Sequence, residues 1–296
     1  MDGVINVYKE ASMTSFDVVF HCRRIFGTRK VGHTGTLDPM AVGVLPVCIG
    51  KGTKLVEYLT ADEKEYIATL RLGMETDTQD STGAVLSSSD APVSRLQVEE
   101  ALRQFVGDIQ QVPPMYSALK VDGHKLVDLA RRGVEVERQP RPVVIHEIEI
   151  LEAREPQREY VIRVHCGKGT YIRTLCHDVG RVLGVGGVMA SLERTRSGVF
   201  DRSTAVTLDT LRQAADQGSL EQYLLPLDFP FKNDERLIVD GVQERLVRNG
   251  VALMLSRTRA KPGPGRVAVY SKEGQLLIVG QKDWEQDTLR LEKSFF

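Results

Sequence analysis

Cysteine is scarce in this chain. Four residues, Cys22, Cys48, Cys166 and Cys176, are scattered over 296 positions with no C-x-x-C pair. That spacing excludes a short secreted disulfide framework and points to reduced thiols. The pairs His165-Cys166 and Cys176-His177 suggest zinc ligation. The first falls in a strand-like run and the second in a helix-like run, so buried structural roles are favoured and no metal is expected. No apolar run reaches the roughly 18 residues needed to cross a bilayer. The opening MDGVINVYKE has neither the basic start nor the apolar core of a secretory signal. No membrane partner is expected, and the cytoplasm is the expected location.

Nucleotide-binding loops are missing too. In GVLPVCIGKGT the first glycine of a P-loop would fall on Leu45, and Gly52 follows Lys51. GVGGVM, residues 184–189, puts Met189 where G-x-G-x-x-G requires glycine and follows a helix-like run. There is no G-x-S-x-G, no H-E-x-x-H and no tight carboxylate cluster, which removes the common hydrolase and metalloprotease chemistries.

What is present begins with charge. The formal net charge is −1, but residues 61–110 hold ten acidic side chains against four basic ones. That segment reads as a solvated outer face and leaves +5 for the remainder. The basic residues fall in groups: Arg23, Arg24, Arg29 and Lys30; Arg131, Arg132, Arg138 and Arg141; Arg194, Arg196 and Arg202; Arg257, Arg259, Lys261 and Arg266. Local groups of this kind suit a polyanionic partner as well as a solvated surface.

The pattern along the chain predicts a mixture of elements. TSFDVVFHCRRIFG (14–27) reads as a helix capped by Thr14 or Ser15, with Phe16, Val19, Phe20 and Phe26 as its apolar residues. LPVCIG reads as a buried strand. KEYIATLRL (64–72) alternates and turns Tyr66 toward the core. METDTQDSTG reads as a loop, residues 94–107 as a helix, QQVPPMYSALKVDG as extended, and HKLVDLARRG as a short helix. PVVIHEIEILEA and REYVIRVHCGKG read as strands. A helix then starts near Thr170, and LERTRSGVF reads as a strand. TLDTLRQAADQG reads as a helix, and YLLPLDFPF, with two prolines, as a linker. From about Asn233 one helix and several short strands form a β-rich tail of net charge +2. Strands and helices without regular βαβ alternation predict an α+β fold with a mostly antiparallel mixed sheet. The expected division is 1–232 and 233–296.

Two stretches carry candidate chemistry. KVGHTGTLDPMAVGVLP (30–46) sets one carboxylate, Asp38, among glycines and aliphatics, and Pro39 holds it out of a helix. GKGTYIRT (167–174) delivers Tyr171 and Arg173 at a strand-to-helix turn. An arginine opposite Asp38 would favour its ionised form against burial. On these residues alone a turn role for Asp38 and core roles for both tyrosines stay open.

GHTGTLDPMAVGVLP, KEYIATLRLG, VPPMYSALKVDG, LARRG and GTYIRTL, in this order and spacing, resemble the TruB family of pseudouridine synthases, which modify uridine-55 in the T-loop of tRNA. The likeness runs from about Asn6 to RTRSGVF, and a PUA-type RNA-binding module fits the tail. The resemblance implies Asp38 as catalytic residue, with Tyr66, Tyr171, Arg173, Leu192, His33 and Lys9 binding substrate. His33 matches a histidine that stacks on the remodelled T-loop. Lys9 precedes Glu10 where the family has Lys-Pro, and Leu126 and Val127 stand where a tyrosine often precedes A-R-R-G.

The implied reaction breaks the sugar–nitrogen bond, turns the base and forms a sugar–carbon bond without net redox change. No cofactor is therefore needed, and one carboxylate suffices. The uridine must be flipped out of its loop. A monomer acting on the T-arm stem-loop without guide RNA is expected, because eight residues precede Lys9 where the guide-dependent dyskerin-like branch carries more. An RNA chaperone with minor catalysis is the reading of a different class.

Overall fold

The computed structural model describes residues 1–60, 63–121, 123–154 and 158–296. In chain order the elements are β1 (Gly3–Lys9), α1 (Ser15–Ile25), β2 (Val31–His33), β3 (Val42–Ile49), α2 (Val56–Thr60) and β4 (Lys64–Leu72). A hairpin of β5 (Met74–Thr76) and β6 (Val85–Ser88) precedes α3 (Arg95–Arg103) and β7 (Gly107–Gln111). A smaller hairpin, β8 (Lys120–Val121) and β9 (His124–Lys125), leads into α4 (Leu126–Arg131). Then come β10 (Arg141–Arg154), β11 (Glu159–Cys166), α5 (Ile172–Val182), β12 (Gly187–Ser197), β13 (Phe200–Asp201) and α6 (Leu208–Asp216). The tail holds β14 (Glu235–Ile238), α7 (Gly241–Arg248), β15 (Arg266–Tyr270), β16 (Leu276–Asp283) and β17 (Thr288–Ser294).

The main sheet has nine strands and runs β1-β3-β12-β4-β11-β10-β7, with β2 on β3 and β13 on β12. All its pairings are antiparallel except β12 with β3, giving the mixed, largely antiparallel sheet that the pattern predicts. In the central strands, alternation sets which face is inside: on β11, Tyr160, Ile162, Val164 and Cys166 are buried while His165 and Arg163 point the other way. Strands β1 and β3 are covered on both faces. Ile5, Val7, Leu45, Val47 and Ile49 enter the large core beneath the helices, whereas Val4, Val44 and Cys48 enter a second core. Two-sided burial explains why GVLPVCI is an unbroken apolar run. The tail forms its own four-stranded sheet, β14-β15-β16-β17, in which β14 and β15 are parallel.

Three local expectations change. Helix α1 buries Ser15, Val18, Val19 and Cys22, while Phe16 and Phe20 stay exposed. The guanidinium of Arg23 lies over the Phe16 ring and that of Arg24 over Phe20, so two of the helix's four apolar residues form an aromatic and cationic outer face. METDTQDSTG is not all loop, because Met74–Thr76 pairs with Val85–Ser88. YLLPLDFPF is no loose linker. Phe229 and Phe231 are buried in the second core with Phe200, Tyr270 and Phe295, because the prolines set short turns that press the aromatic rings inward.

Candidate active site

The Asp38 loop is anchored from two sides. Thr14 caps α1 in a capping box with Asp17. This leaves the next residue, buried Ser15, free to face the loop: its Oγ accepts from the Leu37 amide at 2.8 Å and donates to the Leu37 carbonyl at 3.2 Å. From β1, Lys9 is fully buried, and its Nζ donates to the carbonyls of Glu10 (2.9 Å), Pro39 (3.3 Å) and Ala41 (2.6 Å). Burial lowers the Lys9 ammonium to about 8 against the pull of Asp38. The structure thus places Lys9 under the loop as a clamp on its main chain. Pro39 sits in a tight turn closed by the Ala41 amide on the Asp38 carbonyl at 3.0 Å, so Asp38 is held extended.

Arg173 meets Asp38 with two prongs. Nε lies 2.9 Å from Oδ2 and Nη2 donates to Oδ1 at 3.1 Å. Such a fork fixes the plane of the carboxylate as well as its position. The other donors reach the carbonyls of Tyr116 (2.7 Å) and Thr78 (3.1 Å). Arg173 comes from the first turn of α5, which starts after Tyr171. The buried Gln111 of β7 holds that turn by accepting from the Tyr171 amide at 2.9 Å and donating to its carbonyl at 3.2 Å. Burial pushes the Asp38 carboxyl above its ordinary value, Asp80 adds to the rise, and Arg173 and Lys9 oppose it. The arginine therefore restrains the shift expected from burial without cancelling it.

Asp80 was not among the sequence candidates. Its Oδ2 is 3.7 Å from Arg173 Nη1, on the side away from Asp38, and its Oδ1 accepts from Thr82 N (3.0 Å), Thr82 Oγ1 (2.6 Å) and Thr78 Oγ1 (2.8 Å). Asp80 is 5% exposed, so this part of residues 61–110 is interior to the site and not the solvated face expected there. The signal in the sequence was the run T-x-T-x-D-x-T at 76–82, in which the Thr78 and Thr82 hydroxyls satisfy the carboxylate and that of Thr76 donates to the Asp80 carbonyl.

Tyr66 on β4 faces inward as the alternation requires, and burial pushes its phenol up. Tyr66 packs in one cluster with Leu37 and Ile172, the chain neighbours of Asp38 and of Tyr171 and Arg173, and burial pushes the Tyr171 phenol up as well. Leu192 on β12 stands opposite Ala68 of β4 and packs in the same cluster as Leu37, Tyr66 and Ile172. Arg194, grouped in the sequence with Arg196 and Arg202 as a cation for a polyanion or a solvated surface, is instead interior. Arg194, opposite Tyr66 in register, is 1% exposed and donates to the carbonyls of Val44 (2.7 Å) and Gly35 (3.2 Å). At Gly43, φ is +107° and a Cβ would sit 2.3 Å from the Arg194 carbonyl oxygen, so only glycine admits this close crossing of β3 and β12. His33 ends β2 with Nδ1 accepting from the Gly35 amide at 3.3 Å. Burial and the nearby Arg194 push its imidazole down toward the neutral form, which suits stacking and not proton delivery.

The arrangement offers one carboxylate, Asp38, gripped and oriented by Arg173, while Asp80 is held by Thr78 and Thr82 behind the arginine, and Tyr66, Leu37 and Leu192 give the setting its apolar and aromatic character. The comparisons fit that geometry. The model of the TruB family pseudouridylate synthase N-terminal domain matches residues 23–172, and that of the tRNA pseudouridylate synthase B C-terminal domain matches 173–232. The chain is 43% identical over 294 residues, 99% of each chain, to tRNA pseudouridine synthase B of Clostridium novyi (strain NT). To the protein of that name from Alkaliphilus oremlandii (strain OhILAs) it is 47% identical over 250 residues, 84% of this chain and 82% of the relative. Among solved structures, a Cbf5-Nop10-Gar1 complex aligns with a TM-score of 0.73 at 28% identity, covering 99% of this chain and 85% of the matched one. An H/ACA RNP bound to a substrate RNA containing 2'-deoxyuridine aligns with a TM-score of 0.72 at 26% identity over 99% and 85%. With matches of this extent on both halves of the main sheet, the chain belongs to the TruB family of pseudouridylate synthases.

Proposed function

We propose that the chain isomerises uridine-55 in the T-loop of tRNA to pseudouridine, with Asp38 as the catalytic residue and no cofactor. The observation that carries this reading is the two-pronged Arg173 grip on a carboxylate in an apolar, tyrosine-flanked site. Cleavage of the glycosidic bond develops positive charge at the anomeric carbon, and an oriented carboxylate stabilises that charge better than mobile water does. Tyr66 stacks on the flipped base, while Tyr171 and Leu192 wall the pocket and keep water from the intermediate. His33 stacks on the opened T-loop. Lys9 acts through the Asp38 loop, and Arg173 and Asp80 hold the carboxylate's plane. Residues 233–296 form a PUA-like module that adds RNA contacts to the catalytic domain of 1–232. Among the described residues no helix is long and apolar enough to cross a membrane.

The likeness to H/ACA complexes favours one other reading, in which the chain works on RNA held by a guide. A bare T-arm stem-loop incubated with the purified chain, with the product mapped by mass spectrometry, separates the two. Conversion without any other macromolecule supports the stand-alone reading. Asp38→Asn should abolish conversion while leaving RNA affinity within a few-fold of the parent. Substantial residual pseudouridine in that variant would sink the assignment of Asp38.

A further inference from the structure

We propose that Glu63, His146 and His165 form a binding site for a divalent transition-metal ion, zinc in particular, on the sheet face opposite the catalytic cleft. The three residues come from different strands or strand entries: Glu63 immediately precedes β4, His165 lies on β11 and His146 on β10. Their donor atoms all lie within 4.8 Å of one another. The Glu63 carboxylate stands between the rings, Oε2 at 2.9 Å from His165 Nε2 and Oε1 at 3.3 Å from His146 Nε2. A tetrahedral ion with bonds of about 2.0–2.1 Å spaces its ligand atoms about 3.3–3.4 Å apart, so small adjustments bring these donors onto a coordination polyhedron. Two imidazoles and one carboxylate are a donor set that late first-row divalent ions favour over magnesium or calcium.

The backbone shows that this convergence is built. Ile145 pairs with Cys166 and Glu147 with His165, so His146 is the extra residue of a β-bulge and has no partner of its own in the register. A regular strand would set one side chain of β10 beside His165. The bulge turns His146 toward the outer face as well as Glu147. Glu147 is drawn away by Arg163, which also bridges to Glu149, leaving the two rings together with centroids 4.8 Å apart. Since His165 pairs with Glu65 and Val164 with Tyr66, the cluster is on the far side of the sheet from Tyr66. An ion there would join the entry of β4 to β10 across β11.

Titration of zinc chloride into the full chain by calorimetry tests the site. One ion per chain should bind, and His146→Ala and His165→Ala should each weaken binding at least tenfold. Excess zinc should raise the thermal midpoint of the parent and leave that of the two variants unchanged. Conversion of the T-arm by both variants without zinc should match the parent, which shows that they fold and that the cluster is separate from catalysis. No zinc binding by the parent, or unaltered affinity in the variant lacking both histidines, would overturn the proposal.

Discussion

A carboxyl group withdrawn from water gains a proton more readily than a solvated one, and Asp38 is such a group. The protonated form is inert in the proposed reaction, so activity should fall as pH drops through a value above the usual carboxylate range of about 3.9. Arg173→Met removes the principal opposing charge and should move this acid limb further up, as read from single-turnover rates against pH. Arg173→Lys keeps a cation but loses the fork. We expect a loss in kcat of about 10²-fold with KM for the T-arm little changed, the scale of effect that a small misplacement of a reacting group produces. At this scale a glycine-flanked aspartate, strand alternation and a strand-to-helix turn single out Asp38, Tyr66 and Arg173 as candidates but leave turn and core roles open, and only the family resemblance gives them site roles. Gln111 and Arg194 were not legible as site residues, and of Asp80 only the local threonine run was. All three serve through partners distant in the chain, and a polar residue's burial is decided by tertiary contacts that no window contains. The same holds for Glu63 and His146, which meet His165 only across a sheet.

Among the elements, α5 carries the heaviest positional demand, since it delivers Arg173 to the Asp38 loop. Its Gly180 lies against β12 so closely that a Cβ would stand 2.0 Å from the Gly187 amide nitrogen. Gly180→Ala must therefore push the helix off the sheet, at a cost of about 1–3 kcal/mol for overpacking. A lower thermal midpoint and a turnover reduced more than RNA affinity are the expected outcomes. An unaltered midpoint would mean that the contact is slack. Element types were largely readable, as the alternation of β4 and β11 and the caps of α1 and α6 illustrate. The inward face of α1 was not. Phe16 and Phe20 are hydrophobic enough to suggest a core stripe, yet both stay exposed, with Arg23 two turns on lying over Phe16 and Arg24 one turn on lying over Phe20.

For the whole molecule, the second core decides how the tail relates to the body. Val4, Val44, Leu55 and Phe200 share it with Tyr270, Val279 and Phe295, and Lys54 Nζ donates to the Ser294 carbonyl at 2.8 Å. A chain ending at residue 232 would expose the outer face of β1 and β3 and the rings of Phe229 and Phe231. Its urea midpoint should lie below that of the full chain, and equal midpoints would show that the tail lends no support to the body. The change of texture near residue 233 is visible in the sequence and falls two residues before β14, but the shared core is not, because its members are apolar residues with no periodic mark. The pairing of Val4 with Phe295 in one core also has a meaning for biosynthesis. Strand β1 is made well before Phe295 and keeps one apolar face uncovered until that residue emerges. A prematurely ended chain would consequently carry every candidate catalytic side chain and still present a sticky strand to proteases and chaperones.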